Sequence, residues 1–195
     1  MTRLLAAVLF LALASPAFAQ EVTEPKSGAK FAAKLDDTSL LGVGLRTKTM
    51  LNVKVYAIGL YVADAALSGP LHGKAGTPDL YHELLTGDFK KTVVMRFVRS
   101  VSTDQIRNAF RESLKGGGPQ SEAWISYFTA IRSGQDCVIS WLPGAGLQTK
   151  VAGVDQPPIN DPAFAAAVFG IWLGDQPVQQ DIKQALVSRA PDLLQ

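Results

Sequence analysis

Between Leu40 and Val62 the chain carries two long apolar runs, and this pattern predicts the centre of the fold. Leu40 to Arg46 and Val53 to Val62 are rich in leucine, β-branched and aromatic residues, which suit a pleated sheet, so they predict two adjacent strands. Phe31 to Leu35 predicts a shorter strand, joined to the first through Asp36-Asp37. Gly59, inside the second long strand, predicts a bulge or the close approach of another backbone or a ligand. Lys91 to Val98 alternates, with Val93, Met95 and Phe97 on one face and Val94, Arg96 and Val98 on the other. Cys137 to Leu142 and Leu147 to Val151 predict a hairpin that turns at Pro143-Gly144-Ala145-Gly146.

Elsewhere the period lengthens to that of a helix. Thr77-Pro78 predicts a threonine-capped start and Gly87 a stop. Ser102-Thr103-Asp104-Gln105 has capping-box spacing, and Ile106, Ala109, Phe110 and Leu114 then mark one helical face before Gly116-Gly117-Gly118. A further helix from about Ser121 is expected to bury Trp124, Tyr127 or Phe128, and Ile131. Pro162 to Leu173 and Pro177 to Ser188 predict two closing helices, separated by Gly174. Strands gather early and helices late, without a strict strand-helix repeat. The fold class is therefore α+β with a largely antiparallel sheet, not a doubly wound one.

The first nineteen residues change the picture of what the mature chain is. Arg3 supplies a positive start, Leu4 to Ala14 an apolar run and Ala17-Phe18-Ala19 a small-residue cleavage site, so residues 1–19 are expected to be a secretory signal peptide. The apolar run is shorter than the ~20 residues a spanning helix needs. Residues 20–195 are then expected to form a single domain, exported and periplasmic, with no stable membrane span after cleavage.

Composition removes several functions. Lys and Arg number 19 against 17 Asp and Glu, with basic residues grouped only in pairs such as Lys90-Lys91, so no nucleic-acid stripe is visible. Cys137 is the only cysteine, which rules out an internal disulfide and, with no histidine beside it, predicts a small buried hydrophobe. His72 and His82 stand apart with no cysteine pair, so no metal site and no cofactor are expected; His72 is placed in a loop and His82 on a short helix. Neither a Gly-x-Ser-x-Gly elbow nor a phosphate loop occurs.

Candidate chemistry centres on Arg46. A guanidinium stays charged at any working pH, so on an apolar strand it needs solvent, an acid of a neighbouring element, or an anionic ligand. Gly42, Gly44 and Arg46 occupy alternate positions and share one face, a pattern that predicts open room in front of the cation. Whether Lys48 or Lys54 reaches the same space depends on the register of the turn between the two strands.

These strands resemble the opening hairpin of the chalcone isomerase family. The family's Gly-x-Gly-x-Arg strand stands here as Gly42-Val43-Gly44-Leu45-Arg46, and its Ala-Ile-Gly-x-Tyr piece as Ala57-Ile58-Gly59-Leu60-Tyr61. Asp136 to Gly144 and Phe169 to Pro177 are similar to its bacterial secreted branch. The resemblance implies an open-faced β-sandwich in which helices cover one sheet face and a ligand cleft lies between. It also carries Arg46 over as the arginine that holds an oxyanion, with Tyr56 at the family's threonine position. The family's helix Tyr, Lys and Asn are replaced by Ile106, Ala109 and Ser113, and its substrate-contacting Thr-Met pair by Ile171-Trp172. Loss of one such donor costs ~10² to 10³ in rate, so efficient ring closure of a chalcone is not expected.

The resemblance to the family's fatty-acid-binding members implies instead a non-catalytic protein for an amphipathic anion such as a fatty acid. Its expected site is Arg46, Tyr56, Ile106, Ile171 and Trp172. The alternatives are an isomerase acting on a phenolic enone through Arg46 and Tyr56, and an envelope protein that takes no small molecule.

Overall fold

The computed structural model describes residues 20–48, 51–114 and 118–195. The expected signal peptide and the Gly116-Gly117 helix stop lie outside these residues. Seven strands form one antiparallel meander in chain order: β3 (Lys34–Leu35), β4 (Thr38–Lys48), β5 (Val53–Ala63), β6 (Lys91–Phe97), β7 (Asp136–Leu142), β8 (Gly146–Val151) and β9 (Val154–Asp155). A separate hairpin of β1 (Glu21–Thr23) and β2 (Lys30–Ala32) precedes them, so the expected Phe31–Leu35 strand is split at Ala33. The helices are α1 (Asp64–Leu67), α2 (Pro78–Thr86), α3 (Thr103–Ser113), α4 (Gln120–Ser126), α5 (Pro162–Leu173), α6 (Gln180–Ala185) and α7 (Ala190–Leu193).

The alternation read from the sequence separates two apolar layers. Ile58, Leu60, Val93, Met95, Cys137 and Ile139 pack against the helices, while Leu40, Ala57, Tyr61 and Val94 meet Phe31 of β2 on the opposite face. Helices thus cover one face and the small hairpin part of the other. Gly59 belongs to the second layer: a Cβ there would stand 2.9 Å from the Phe31 ring, so its close neighbour is a side chain rather than a backbone or a ligand. Helix α5 is apolar almost all round and lies at the centre of the helical layer, as such a helix must.

Three local expectations differ from the structure for identifiable reasons. Thr77 precedes α2, but its hydroxyl donates back to the Lys74 carbonyl at 2.9 Å instead of capping the helix. Ile131 lies beyond α4. Arg107 takes the carbonyls of Ser126 and Phe128 at 2.6 and 2.7 Å, ending that helix, and Ile131 then exchanges backbone hydrogen bonds with Val101. The second of the two expected closing helices, α6, starts at Gln180 instead of Pro177, because Gln179 is extended and bound to β4.

The Lys90-Lys91 pair is also divided by the fold. Lys90 is on the surface with Asp37, whereas Lys91 is only 2% exposed and donates to the carbonyls of Leu85 and Gly87 at 3.1 and 3.0 Å, closing the end of α2. Burial holds its ammonium down to about 8, opposed by the charges of Asp88 and Glu83.

Candidate functional site

A cavity of about 380 Å³ opens between the sheet and α3, in the size range of small-molecule sites. Its walls are apolar: Val53, Val55, Met95 and Phe97 come from the sheet, Ile106 and Phe110 from α3. Arg46 and Tyr56 reach it from neighbouring strands, where they are direct cross-strand partners. Ile171 of α5 closes the back.

A bulge is what lets two consecutive residues face this space. Arg46 pairs with Tyr56 and Thr47 with Lys54, leaving Val55 unopposed, so Val55 and Tyr56 both line the cavity although neighbours on a regular strand point apart. The same register sends Lys48 to the cavity. Lys54 turns away, its ammonium donating to the Lys26 carbonyl.

Gly42, Gly44 and Arg46 do share a face, since their partners Leu60, Ile58 and Tyr56 all belong to the helix-side core. The room above the glycines, however, is occupied by α6. A Cβ on Gly42 would come within 2.6 Å of the Leu186 carbonyl carbon, and one on Gly44 within 3.5 Å of the Ile182 Cα. The glycines seat a helix, and only Arg46 looks past its end. This seating delivers Gln179, at the start of α6, onto the open edge of β4. Its Oε1 accepts from Arg46 at 3.1 Å and from the Thr47 amide at 3.0 Å, while its Nε2 donates to the Leu45 carbonyl at 3.3 Å.

Arg46 is half-buried and also donates to the carbonyl of Thr47. These two contacts use one end of its fork, and among the described residues no carboxylate forms an ion pair with it. The remaining donors are available to an anion. Tyr56 is fixed from behind: Trp172, fully buried, donates to its hydroxyl at 3.0 Å. That bond occupies the phenol oxygen and leaves its proton without an acceptor among the described residues. Burial pushes the Tyr56 phenol up to about 12, against smaller opposing effects of the Trp172 hydrogen bond and the Arg46 charge. It is therefore a neutral donor at working pH.

Of the residues singled out from sequence, Arg46, Tyr56, Ile106 and Ile171 meet around one cavity, and Ala109 and Ser113 of α3 line it too. Trp172 stands behind Tyr56, not at the wall. His72 and His82 are exposed, in a turn and on α2 respectively, and Cys137 is buried with its thiol pushed up by desolvation. Sequence reasoning missed Gln179, which no local motif marks.

The buried phenols make stability depend on alkaline pH. Tyr56, and Tyr61 on the opposite sheet face, are both raised by burial from 10.0 to about 12. The unfolded chain loses these protons first, so their contribution is intact below pH 10 and is lost as pH rises through 12. Urea denaturation should show a midpoint falling over that window, and Tyr56→Phe should blunt the fall. A midpoint flat from pH 10 to 12 would contradict this.

Comparison with known proteins places this geometry. A family profile described as chalcone isomerase-like matches residues 19–188. The chain is 32% identical to chalcone isomerase-like protein 1 of Humulus lupulus over 176 residues, covering 78% of this chain and 82% of that protein. It is 26% identical to fatty-acid-binding protein 1 of Arabidopsis thaliana over 200 residues, covering 89% of this chain and 72% of the relative. Among solved structures, that of an Arabidopsis thaliana fatty-acid-binding protein superposes with a TM-score of 0.77 at 24% identity, covering 90% of this chain and 99% of the other. Its likeness shows the shared fold. Sheet, helical layer and profile match agree over nearly the whole described chain, which belongs to the chalcone isomerase-like family.

Proposed function

We propose that this protein binds, without turning over, an amphipathic anion of the fatty-acid class, with Arg46 as the carboxylate anchor and Tyr56 as the second donor. The observation that carries the reading is a guanidinium with spare donors and no carboxylate partner among the described residues, set at an apolar cavity. Arginine takes a carboxylate through two parallel charge-assisted bonds, and apolar walls around it accept an acyl chain. The similarity to a plant protein named for fatty-acid binding supports the same reading. The non-catalytic part is supported by Ile106 and Ala109, which line the cavity from α3, beside Gln105, Glu112 and Ser113, at positions where the resemblance gives an isomerase polar donors to developing charge.

The bacterial secreted branch, export to the periplasm and a single mature domain over 20–195 are part of the same proposal. They are supported by the charged, apolar and small-residue order of the first nineteen residues.

Displacement of a fluorescent fatty acid by hexadecanoate tests the proposal. The wild type should bind at one site, and Ala109→Trp should abolish binding by filling the cavity from an exposed helical position, with the melting temperature little changed. Undiminished affinity in Ala109→Trp would remove this cavity from consideration. Ring closure of a chalcone above the spontaneous rate, lost in an Arg46→Ala variant, would replace binding by catalysis.

A further inference from the structure

The end of the molecule at which the cavity opens carries a second feature. Leu51, in the turn between β4 and β5, is 86% exposed, while the other exposed large apolar side chains among the described residues, Leu35 and Val154, stand at 40% and 62%. Its turn is flanked by the Lys48–Val53 strand pair, and both of those residues line the cavity. Lys48, exposed and lining the cavity, precedes Leu51 by three residues, whereas Lys54 is turned away onto the Lys26 carbonyl. Arg99 adds a further exposed cation to the lining, against Glu112 as its one carboxylate. A leucine held out in water beside cations, at the mouth of an apolar cavity, has no role in the packing of the described residues.

We propose that Leu51 and the cations beside it on the cavity lining dock on an anionic phospholipid surface, Leu51 entering the acyl boundary and Lys48 and Arg99 meeting the headgroups, so that the cavity mouth faces the bilayer. This rests on the reading of the cavity as a site for amphipathic acids, molecules that partition into lipid. Charge complementarity decides the occupant. Lysines beside a surface of anionic headgroups are attracted without needing a matching partner geometry. A protein partner or a second copy would need roughly 1,000 Å² of complementary surface, and a single leucine does not supply it. No helix among the described residues is long and apolar enough to cross a membrane, so the contact is peripheral.

Co-sedimentation with vesicles tests the proposal, comparing phosphatidylglycerol mixed into phosphatidylcholine with phosphatidylcholine alone. The wild type should bind the anionic vesicles, less as salt rises. Leu51→Asp should lower that binding about tenfold or more, as expected for withdrawing one leucine from an apolar phase. Arg99→Glu should lower it severalfold. Hexadecanoate affinity in vesicle-free buffer should be unchanged in Leu51→Asp, and Arg46→Met should still dock. Docking that persists when no acid binds would support the surface while the functional reading falls. Acid binding without docking overturns the surface alone. Equal binding to neutral vesicles overturns it, as does a dimer abolished by Leu51→Asp in a chain that binds no vesicle.

Discussion

Replacing Arg46 with methionine is expected to weaken hexadecanoate binding about tenfold to a hundredfold while changing the stability of the fold little. Hydrogen bonds to a charged group contribute ~1.5 to 3 kcal/mol, and each ~1.4 kcal/mol is tenfold in affinity. The fold loses less. Arg46 contributes hydrogen bonds to Thr47 and Gln179, and Gln179 keeps the Thr47 amide and the Leu45 carbonyl when the guanidinium is gone. Methionine also fills much of the vacated space with an apolar chain. Arg46→Lys should fall between, keeping the charge but not the fork. Displacement titration in parallel with thermal melting separates the two effects, and equal affinity in Arg46→Met would remove the anchor from the account.

Gly42→Val should produce the largest loss of stability. The new side chain would meet the backbone of Leu186, at 2.6 and 2.7 Å from its carbonyl carbon and oxygen, and backbone cannot rotate out of the way as a side chain can. Helix α6 must lift. Overpacking of this kind costs ~1 to 3 kcal/mol and occasionally more. Lifting α6 also endangers the Arg189 amide bond to the Leu41 carbonyl and the three contacts of Gln179 with β4. A fall in melting temperature on the order of 10 °C is expected for a chain of this size. Because Gln179 orients Arg46, acid affinity should fall as well, which a remote packing defect would not cause. Gly170→Ala provides the contrast: that helical glycine faces open space within 4 Å, so alanine should stabilise by ~0.5 to 1 kcal/mol. A melting temperature for Gly42→Val within a few degrees of the wild type would show that α6 is not seated on the glycines.

What sequence could and could not reveal follows from the range of the interactions. The extents of β6 and α5 and the start of α3 were legible because their signals are local: alternation from Lys91, proline and glycine boundaries at Pro162 and Gly174, and a capping box in which Ser102 and Gln105 bond reciprocally. The shared face of Gly42, Gly44 and Arg46 was legible from the two-residue period of a strand. What stood over that face was not, because α6 lies more than 130 residues away in the chain and its approach leaves no local mark beyond the glycines themselves. Gln179 is hidden for the same reason. Val55 illustrates a different limit. A regular strand would turn it away from the cavity beside Tyr56, and only the bulge, a product of the paired register, brings both inward. That register also decides between Lys48 and Lys54. Resemblance puts Trp172 at the wall, whereas it stands behind Tyr56, a contact that depends on how α5 rotates against β5 and that periodicity does not fix in detail.

The central claim is that a carboxylate, and not merely an apolar chain, is recognised at Arg46. Calorimetric titration of the wild type with hexadecanoate and with its methyl ester addresses it in one comparison, since the two ligands share the chain and differ in the charge. The acid is expected to bind at least about tenfold more tightly than the ester, as loss of the charge-assisted pair requires. Equal affinities for the two would contradict the account.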